Sequence, residues 1–114
     1  MIYTLFIDDE RNPADVSWMA IPFVGTTIVA RTFDHVKDLV AEHGVPAHVS
    51  FDHDLANFDP EGNELTGYTC AKWLVDYCVE NKILFPSYTV HSMNPIGRKR
   101  IIDYIEWAKN TANI

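Results

Sequence analysis

The chain has 114 residues, which is the size of one ordinary domain. Hydrophobic residues make up 47% of it and charged residues 22%, and this globular composition argues against disorder. Sixteen acidic residues against nine basic ones give a net charge of −7, which excludes an extended surface for duplex nucleic acid. We therefore expect residues 1–114 to form a single domain whose anionic ligand needs only local positive charge or a metal.

The apolar runs of the sequence are too short to span a bilayer, and no signal-peptide pattern is present. The two cysteines, Cys70 and Cys78, fall on one predicted helix. At the rise of an α-helix they are separated by roughly 12 Å, which is beyond the reach of a disulfide. We expect a soluble, cytoplasmic protein with reduced cysteines and no membrane partner.

Strand-like and helical patterns alternate along the chain. Apolar, β-branched runs predict strands at residues 2–7, 26–31, 48–51 and 87–91. Helical periodicity predicts helices at residues 34–43 and 68–81, and a third that begins with Asn94 as N-cap and Pro95 as first residue. The predicted buried faces are Val36, Leu39 and Val40; Cys70, Ala71, Leu74, Val75, Cys78 and Val79; and Ile101, Ile105 and Ala108. Residues 14–20 are a candidate short helix, and residues 56–66 are predicted to form a long polar loop.

This alternation is typical of an α/β fold with a parallel sheet and right-handed crossovers. We expect a three-layer, flavodoxin-like sheet of four strands in the order 2-1-3-4, without the last strand of that fold. In such sheets the ligand lies beyond the carboxyl ends of the strands, at the switch point between strands 1 and 3.

Most of the chemically reactive side chains follow the predicted strands directly. They are Asp8, Asp9, Glu10 and Arg11 after the first strand, Asp52, His53 and Asp54 after the third, and His91, Ser92, Asn94 and Arg98 at and after the fourth. Each has a structural alternative when taken alone, such as a strand-ending turn or a helix cap. Their joint placement at neighbouring strand ends favours a functional site.

The carboxylates predict a divalent-cation site formed by Asp8, Asp9, Asp52 and Asp54. Carboxylates brought close together repel, and either a cation or protonation must relieve the repulsion. Oxygen ligands without cysteine favour Mg²⁺ or Mn²⁺, whereas a histidine ligand shifts the preference towards Mn²⁺ or Zn²⁺. Asp54 can instead orient a histidine or offer only its backbone carbonyl.

The two histidines and the basic residues predict phosphate chemistry. Because the imidazole side chain can exchange a proton near neutral pH, His53 and His91 are candidates for the base and acid that open a cyclic phosphodiester. The candidate phosphate-binding residues are Arg11, Ser92, Asn94 and Arg98, the last three near the N-terminus of the last helix.

Four segments carry a family resemblance: LFIDDER at residues 5–11, SFDHDL at 50–55, TGY at 66–68 and HSMNPIG at 91–97. With these motifs the chain resembles the cyclic-phosphate processing receiver-like domains, a divergent branch of the response-regulator receivers. The resemblance implies a receiver-like sheet, with the acidic run Asp8-Asp9-Glu10 and Asp52 at the metal and phosphoacceptor positions of receivers. It also implies the handling of 2′,3′-cyclic RNA ends or cyclic nucleotides. The fifth strand of ordinary receivers and its lysine have no counterpart, and His91-Ser92 replaces their switching Ser or Thr.

Three functions stay open at this point. The first is a metal-assisted phosphoesterase that acts on a cyclic phosphate, with catalytic His53, His91 and Asp52. The second is a module that binds a cyclic nucleotide or an RNA end without turnover. The third is a degenerate receiver that acts through protein contacts. A homodimer is compatible with each.

Overall fold

The computed structural model describes residues 1–114. The elements, in chain order, are β1 (Tyr3–Ile7), β2 (Thr26–Ala30), α1 (Phe33–His43), β3 (His48–Phe51), β4 (Asn57–Phe58), β5 (Glu64–Leu65), α2 (Gly67–Asn81), β6 (Ser87–Val90) and α3 (Pro95–Ala112). The strands and helices of the α/β prediction are all present, and their bounds differ from it by about one residue.

The main sheet has four parallel strands in the order β2-β1-β3-β6. Because β6 is the fourth strand of this sheet, the expected order is confirmed, and the fold is receiver-like. Its register places Ile7, Ala30, Phe51 and Val90 side by side. The four strands therefore end level, and the residues that follow them meet at one edge.

Each helix begins at a side-chain cap. The hydroxyl of Thr32 accepts a hydrogen bond from the backbone N–H of His35, and Asn94 caps α3 with Pro95 as the first helical residue. The three helices pack against the sheet around one apolar core, which also buries Leu5 and Val49. The predicted buried faces are confirmed except at one position. Val79 is 45% exposed, since Cys78 holds the core-facing position in the last turn of α2.

Residues 8–25, between β1 and β2, reach the opposite face of the sheet. The hydroxyl of Thr4, which alternates with the core residues of β1, bonds to both the backbone N–H and the carbonyl of Val24. The candidate helix at residues 14–20 was wrong. Only a 3₁₀ turn, Pro13–Asp15, is present, in which the carboxylate of Asp15 accepts a hydrogen bond from the backbone N–H of Asn12, and the chain is already extended at Val16.

The long loop predicted at residues 56–66 was wrong in part. It contains a small antiparallel hairpin, β4 paired with β5. The carboxylate of Asp59 accepts backbone hydrogen bonds from Glu61 and Asn63, which closes the turn between the two strands.

None of the helices has the length and apolarity needed to cross a membrane. Cys70 and Cys78 are both free and buried, so the sequence correctly excluded a disulfide between them. Burial raises the pKa of the Cys70 thiol to about 12 and that of Cys78 to about 11. Both thiols therefore stay protonated and act as small apolar core groups.

Candidate functional site

A buried acid–histidine cluster lies at the carboxyl edge of the sheet. Asp8 follows β1, Asp52 follows β3 and His91 follows β6, and all three are at most 5% exposed. One potential ligand atom from each lies within 4.8 Å of the others. The level strand ends thus bring together three residues that are up to 83 positions apart in the chain.

Asp8 is held as a carboxylate by its neighbours. One oxygen accepts hydrogen bonds from the backbone N–H groups of Glu10 and Arg11, at 2.9 and 2.8 Å. The other lies 3.0 Å from Nε2 of His91. Burial alone would raise the pKa of Asp8, but the hydrogen bond from His91 and those from the two backbone groups together lower it. Asp8 is therefore a fixed negative charge.

Asp52 is also buried, but its pKa is shifted upwards, in the opposite direction to that of Asp8. It accepts a hydrogen bond from the backbone N–H of His53, at 2.9 Å. Burial and the negative charge of Asp8 raise the pKa of Asp52, against the smaller effects of His53, His91 and Arg11. Asp52 is thus the carboxyl group of the cluster most ready to exchange a proton.

His91 is enclosed on every side. Its ring stacks on Phe6, with ring centroids 4.4 Å apart and planes 5° apart and with no exposed surface. Nδ1 lies 2.7 Å from the hydroxyl of Ser50, so both ring nitrogens have protein partners. Thr89 donates to Ser50 and also contacts His48, which extends this polar chain along the sheet.

Sequence reasoning missed Ser50 as a partner of His91, and it missed Thr89 and His48 as the next members of the same polar chain. The signal was available in the alternation of polar residues along β3 and β6, since alternate residues of a strand share one face. Polar side chains on one face of a buried sheet must find partners there.

A cavity of about 290 Å³ opens at the same edge. Its lining residues are Asp9, Glu10, Arg11, Asp52, Asp54, Ala56, Ser92, Met93 and Asn94. This set has four carboxylates and one guanidinium, so the cavity is acidic. An anionic ligand needs a cation, or protonation, to enter it.

The predicted site residues divide between the cavity and its surroundings. Arg11, Ser92 and Asn94 line it, as three of the four predicted phosphate ligands, whereas Arg98 lines a neighbouring cavity. Neither His53 nor His91 lines the acidic cavity. Their predicted roles as acid and base stay predictions, and His91 has no ring atom available for direct contact with a ligand.

The predicted metal ligands also divide. The buried acid–histidine cluster contains Asp8 and Asp52 with His91, while Asp9 and Asp54 lie outside it, on the cavity wall. Asp54 bonds to His53 Nδ1 at 2.9 Å and to the amide of Asn94 at 3.2 Å. The two inner carboxylates form a donor set that suits a hard divalent cation.

Two motif glycines make the site possible. A Cβ on Gly67 would lie 1.6 Å from the carbonyl oxygen of Asp52, and one on Gly97 would lie 2.4 Å from the ring of His53. Both positions need glycine because the strand β3 loop approaches the first turns of α2 and α3. The TGY and HSMNPIG motifs therefore keep Asp52 and His53 in place.

No pattern in the sequence indicated Ala56 as part of the cavity wall. Ala56 has φ 46°, in the left-handed region that few residues other than glycine adopt. The turn follows buried Leu55 and brings Ala56 to the cavity.

The fold and the site together define a receiver-like α/β domain with an acidic pocket at its carboxyl edge. Residues 3–107 match the cyclic-phosphate processing receiver domain, and the chain belongs to that family. Neither the curated proteins nor the solved structures gave a significant match. The resemblance carried by the four motifs is thereby confirmed over most of the chain.

Proposed function

We propose that this domain hydrolyses a cyclic phosphodiester in the acidic cavity, with the help of a divalent cation. The observation that supports this most strongly is the joint lining of one cavity by Asp52, Arg11 and Ser92. These supply a carboxyl group with a raised pKa, a guanidinium and a hydroxyl. The chain also belongs to a family named for cyclic-phosphate processing.

The charge of the cavity supports the cation. A phosphate beside four carboxylates and one guanidinium would be repelled. Asp8 and Asp52 would hold Mg²⁺ or Mn²⁺ through their oxygens. Such a cation, when bound, offsets the negative charge and polarises a phosphoryl oxygen.

The chain's own groups have distinct tasks in this proposal. Arg11 donates charge-assisted hydrogen bonds to the phosphate, and Ser92 and Asn94 contact it from the start of α3. Asp52 takes a proton from the attacking water as the new P–O bond forms. One ester P–O bond then breaks, and its oxygen takes that proton from Asp52 to become a hydroxyl, which returns Asp52 to the carboxylate. His91 is a positioning residue that acts through Asp8, as His53 does through Asp54.

The test is incubation of the purified protein with 2′,3′-cyclic and 3′,5′-cyclic nucleotides, with Mn²⁺ or with EDTA. Phosphorus NMR would show a ring-opened phosphomonoester with Mn²⁺ and none with EDTA. We expect Asp52→Asn to lower the rate by about 100-fold or more. Asp103→Asn, an exposed carboxylate on α3, is the control and should keep full activity. An intact ring under every condition would contradict the proposed hydrolysis.

A second candidate is capture of the same ligand without turnover. It is favoured by one observation: neither His53 nor His91 lines the cavity. Asp52 is then the only proton-exchanging group that the buried acid–histidine cluster presents to a ligand there. Recovery of intact ligand from a tight complex with the native chain and Mn²⁺ would establish binding in place of hydrolysis.

A further inference from the structure

A second cavity adjoins the acidic one. It has a volume of about 450 Å³ and shares Ser92 and Met93 with its neighbour. Most of its lining is apolar or aromatic, and the residues of this kind are Trp18, Met19, Val90, Met93 and Pro95. The acidic cavity, in contrast, is lined mostly by charged and polar side chains. A ligand that spans both needs an anionic part and an apolar part.

Trp18 provides the aromatic wall of this second cavity. It lies in the irregular β1–β2 connection and is 44% exposed. The guanidinium of Arg11 lies 5.2 Å from the centre of its ring. The same guanidinium is 3.6 Å from the sulfur of Met93 and 3.8 Å from a carboxylate oxygen of Asp8. Arg11 therefore joins the acidic cavity to the aromatic wall.

Arg98 provides a cation at the apolar cavity. Its Nε donates to the carbonyl of Val90, at 3.2 Å, which fixes the base of the guanidinium. No carboxylate lies within ion-pair distance of Arg98. Its remaining N–H groups are therefore free to donate to the acceptors of a ligand.

We propose that the second cavity binds the nucleobase of a nucleoside cyclic phosphate whose phosphate lies in the acidic cavity. This inference rests on the proposed function. A base has an apolar face that stacks on an indole and thioethers, and ring acceptors that pair with an arginine. Its ribose would pass Ser92 and Met93, the residues that the two cavities share. The substrate class is thus a nucleoside cyclic phosphate rather than a cyclic phosphate without a base.

The test reports directly on Trp18. The variant Trp73→Phe/Trp107→Phe leaves Trp18 as the only tryptophan of the chain. Rapid mixing with guanosine 2′,3′-cyclic phosphate and Mn²⁺ should quench its fluorescence before turnover. Glycerol 1,2-cyclic phosphate, which has no base, is then measured by competition. We expect it to bind at least about tenfold more weakly, the equivalent of about 1.4 kcal/mol.

Substitutions in the otherwise native chain complete the test. Trp18→Ala should weaken the guanosine ligand about tenfold by calorimetry and leave the glycerol ligand unchanged, whereas Trp18→Phe should retain most of the affinity. Trp107→Ala, at an exposed residue of α3 that lines neither cavity, is the control.

The outcomes separate this inference from the proposed function. Equal binding of both ligands, or an unchanged affinity in Trp18→Ala, would overturn the base site and leave the proposed function standing. Binding and ring opening of neither ligand would overturn both. Tight binding of guanosine itself, with no added affinity from the phosphate, would contradict a ligand that spans the two cavities.

Discussion

The carboxyl ends of β1 and β3 lie side by side, and each is followed by a buried aspartate, but the two carboxyl groups differ in charge state. Asp8 is fully buried and its pKa is lowered, whereas Asp52 is 5% exposed and its pKa is raised. Burial pushes both pKa values upwards. The difference therefore comes from their neighbours.

Asp8 accepts three hydrogen bonds, two of them from backbone N–H groups and one from His91. Asp52 accepts one from the backbone of His53 and lies beside the negative charge of Asp8. The end of β1 is thus a built-in anion, and the end of β3 is the group that responds to ligands and pH. A site that needs a fixed charge and an exchangeable proton obtains them from two equivalent positions of the sheet.

The largest expected effect comes from removing the fixed charge. Asp8→Ala leaves the backbone N–H groups of Glu10 and Arg11 and the ring of His91 without their acceptor. We expect the free energy of unfolding to fall by about 3 kcal/mol or more. Urea denaturation at pH 7, followed by circular dichroism, measures this.

The control is Asp9→Ala, which removes a carboxylate next in sequence that lies outside the buried cluster. It should change the free energy of unfolding by less than about 1 kcal/mol. Equal losses in the two variants would show that the contacts of Asp8 do not stabilise the fold.

A smaller effect of opposite sign is expected at the other strand end. Asp52→Asn removes a buried charge that lies beside Asp8, so it should raise the Tm at pH 7 by about 2–5 °C. A raised pKa in the folded state means that wild-type stability falls as pH rises through that pKa. The gain of Asp52→Asn should therefore grow as pH rises above the ordinary aspartate pKa of 3.8 and disappear below it.

Net charge must be separated from burial in this measurement. Asp9→Asn makes the same change to the chain's net charge of −7, at a position outside the inner cluster. It should not reproduce the gain. An identical rise in Tm in both variants would attribute the effect to the net negative charge of the chain and not to the repulsion between Asp52 and Asp8.

How far the sequence predicts this site follows from the geometry of strands. The convergence of Asp8, Asp52 and His91 was predictable, because parallel strands that end level bring their following residues together. The direction in which each side chain points was harder to predict. His91 follows core-facing Val90, and the strand alternation turns it towards Phe6 and Ser50, away from the cavity.

The second cavity lay beyond sequence reasoning for a different reason. Trp18 reaches it from a connection without regular structure, and no periodicity sets the path of such a segment. The hairpin at residues 57–65 was missed for a related reason, because two-residue strands have no readable alternation. The sequence predicts regular elements and what lies at their ends, whereas the covering segments depend on tertiary contacts.

The smallest effect on stability is expected at Asp54, on the rim of the acidic cavity, where the side chain is exposed to solvent. Asp54 is paired with His53, and this hydrogen bond, followed by smaller effects, lowers its pKa, but its side chain is 61% exposed. Asp54→Asn should lower the Tm at pH 7 by less than about 2 °C, because exposed pairs contribute little. A lowered pKa gives stability above the ordinary value of 3.8 that is lost as pH falls, so the difference should vanish in acid. Asp103→Asn, at a paired carboxylate that is 62% exposed, should likewise lower the Tm at pH 7 by less than about 2 °C. If Asp54→Asn lowered the Tm as much as Asp8→Ala does, the neighbours of Asp54 would hold its charge as firmly as those of Asp8 do at the end of β1.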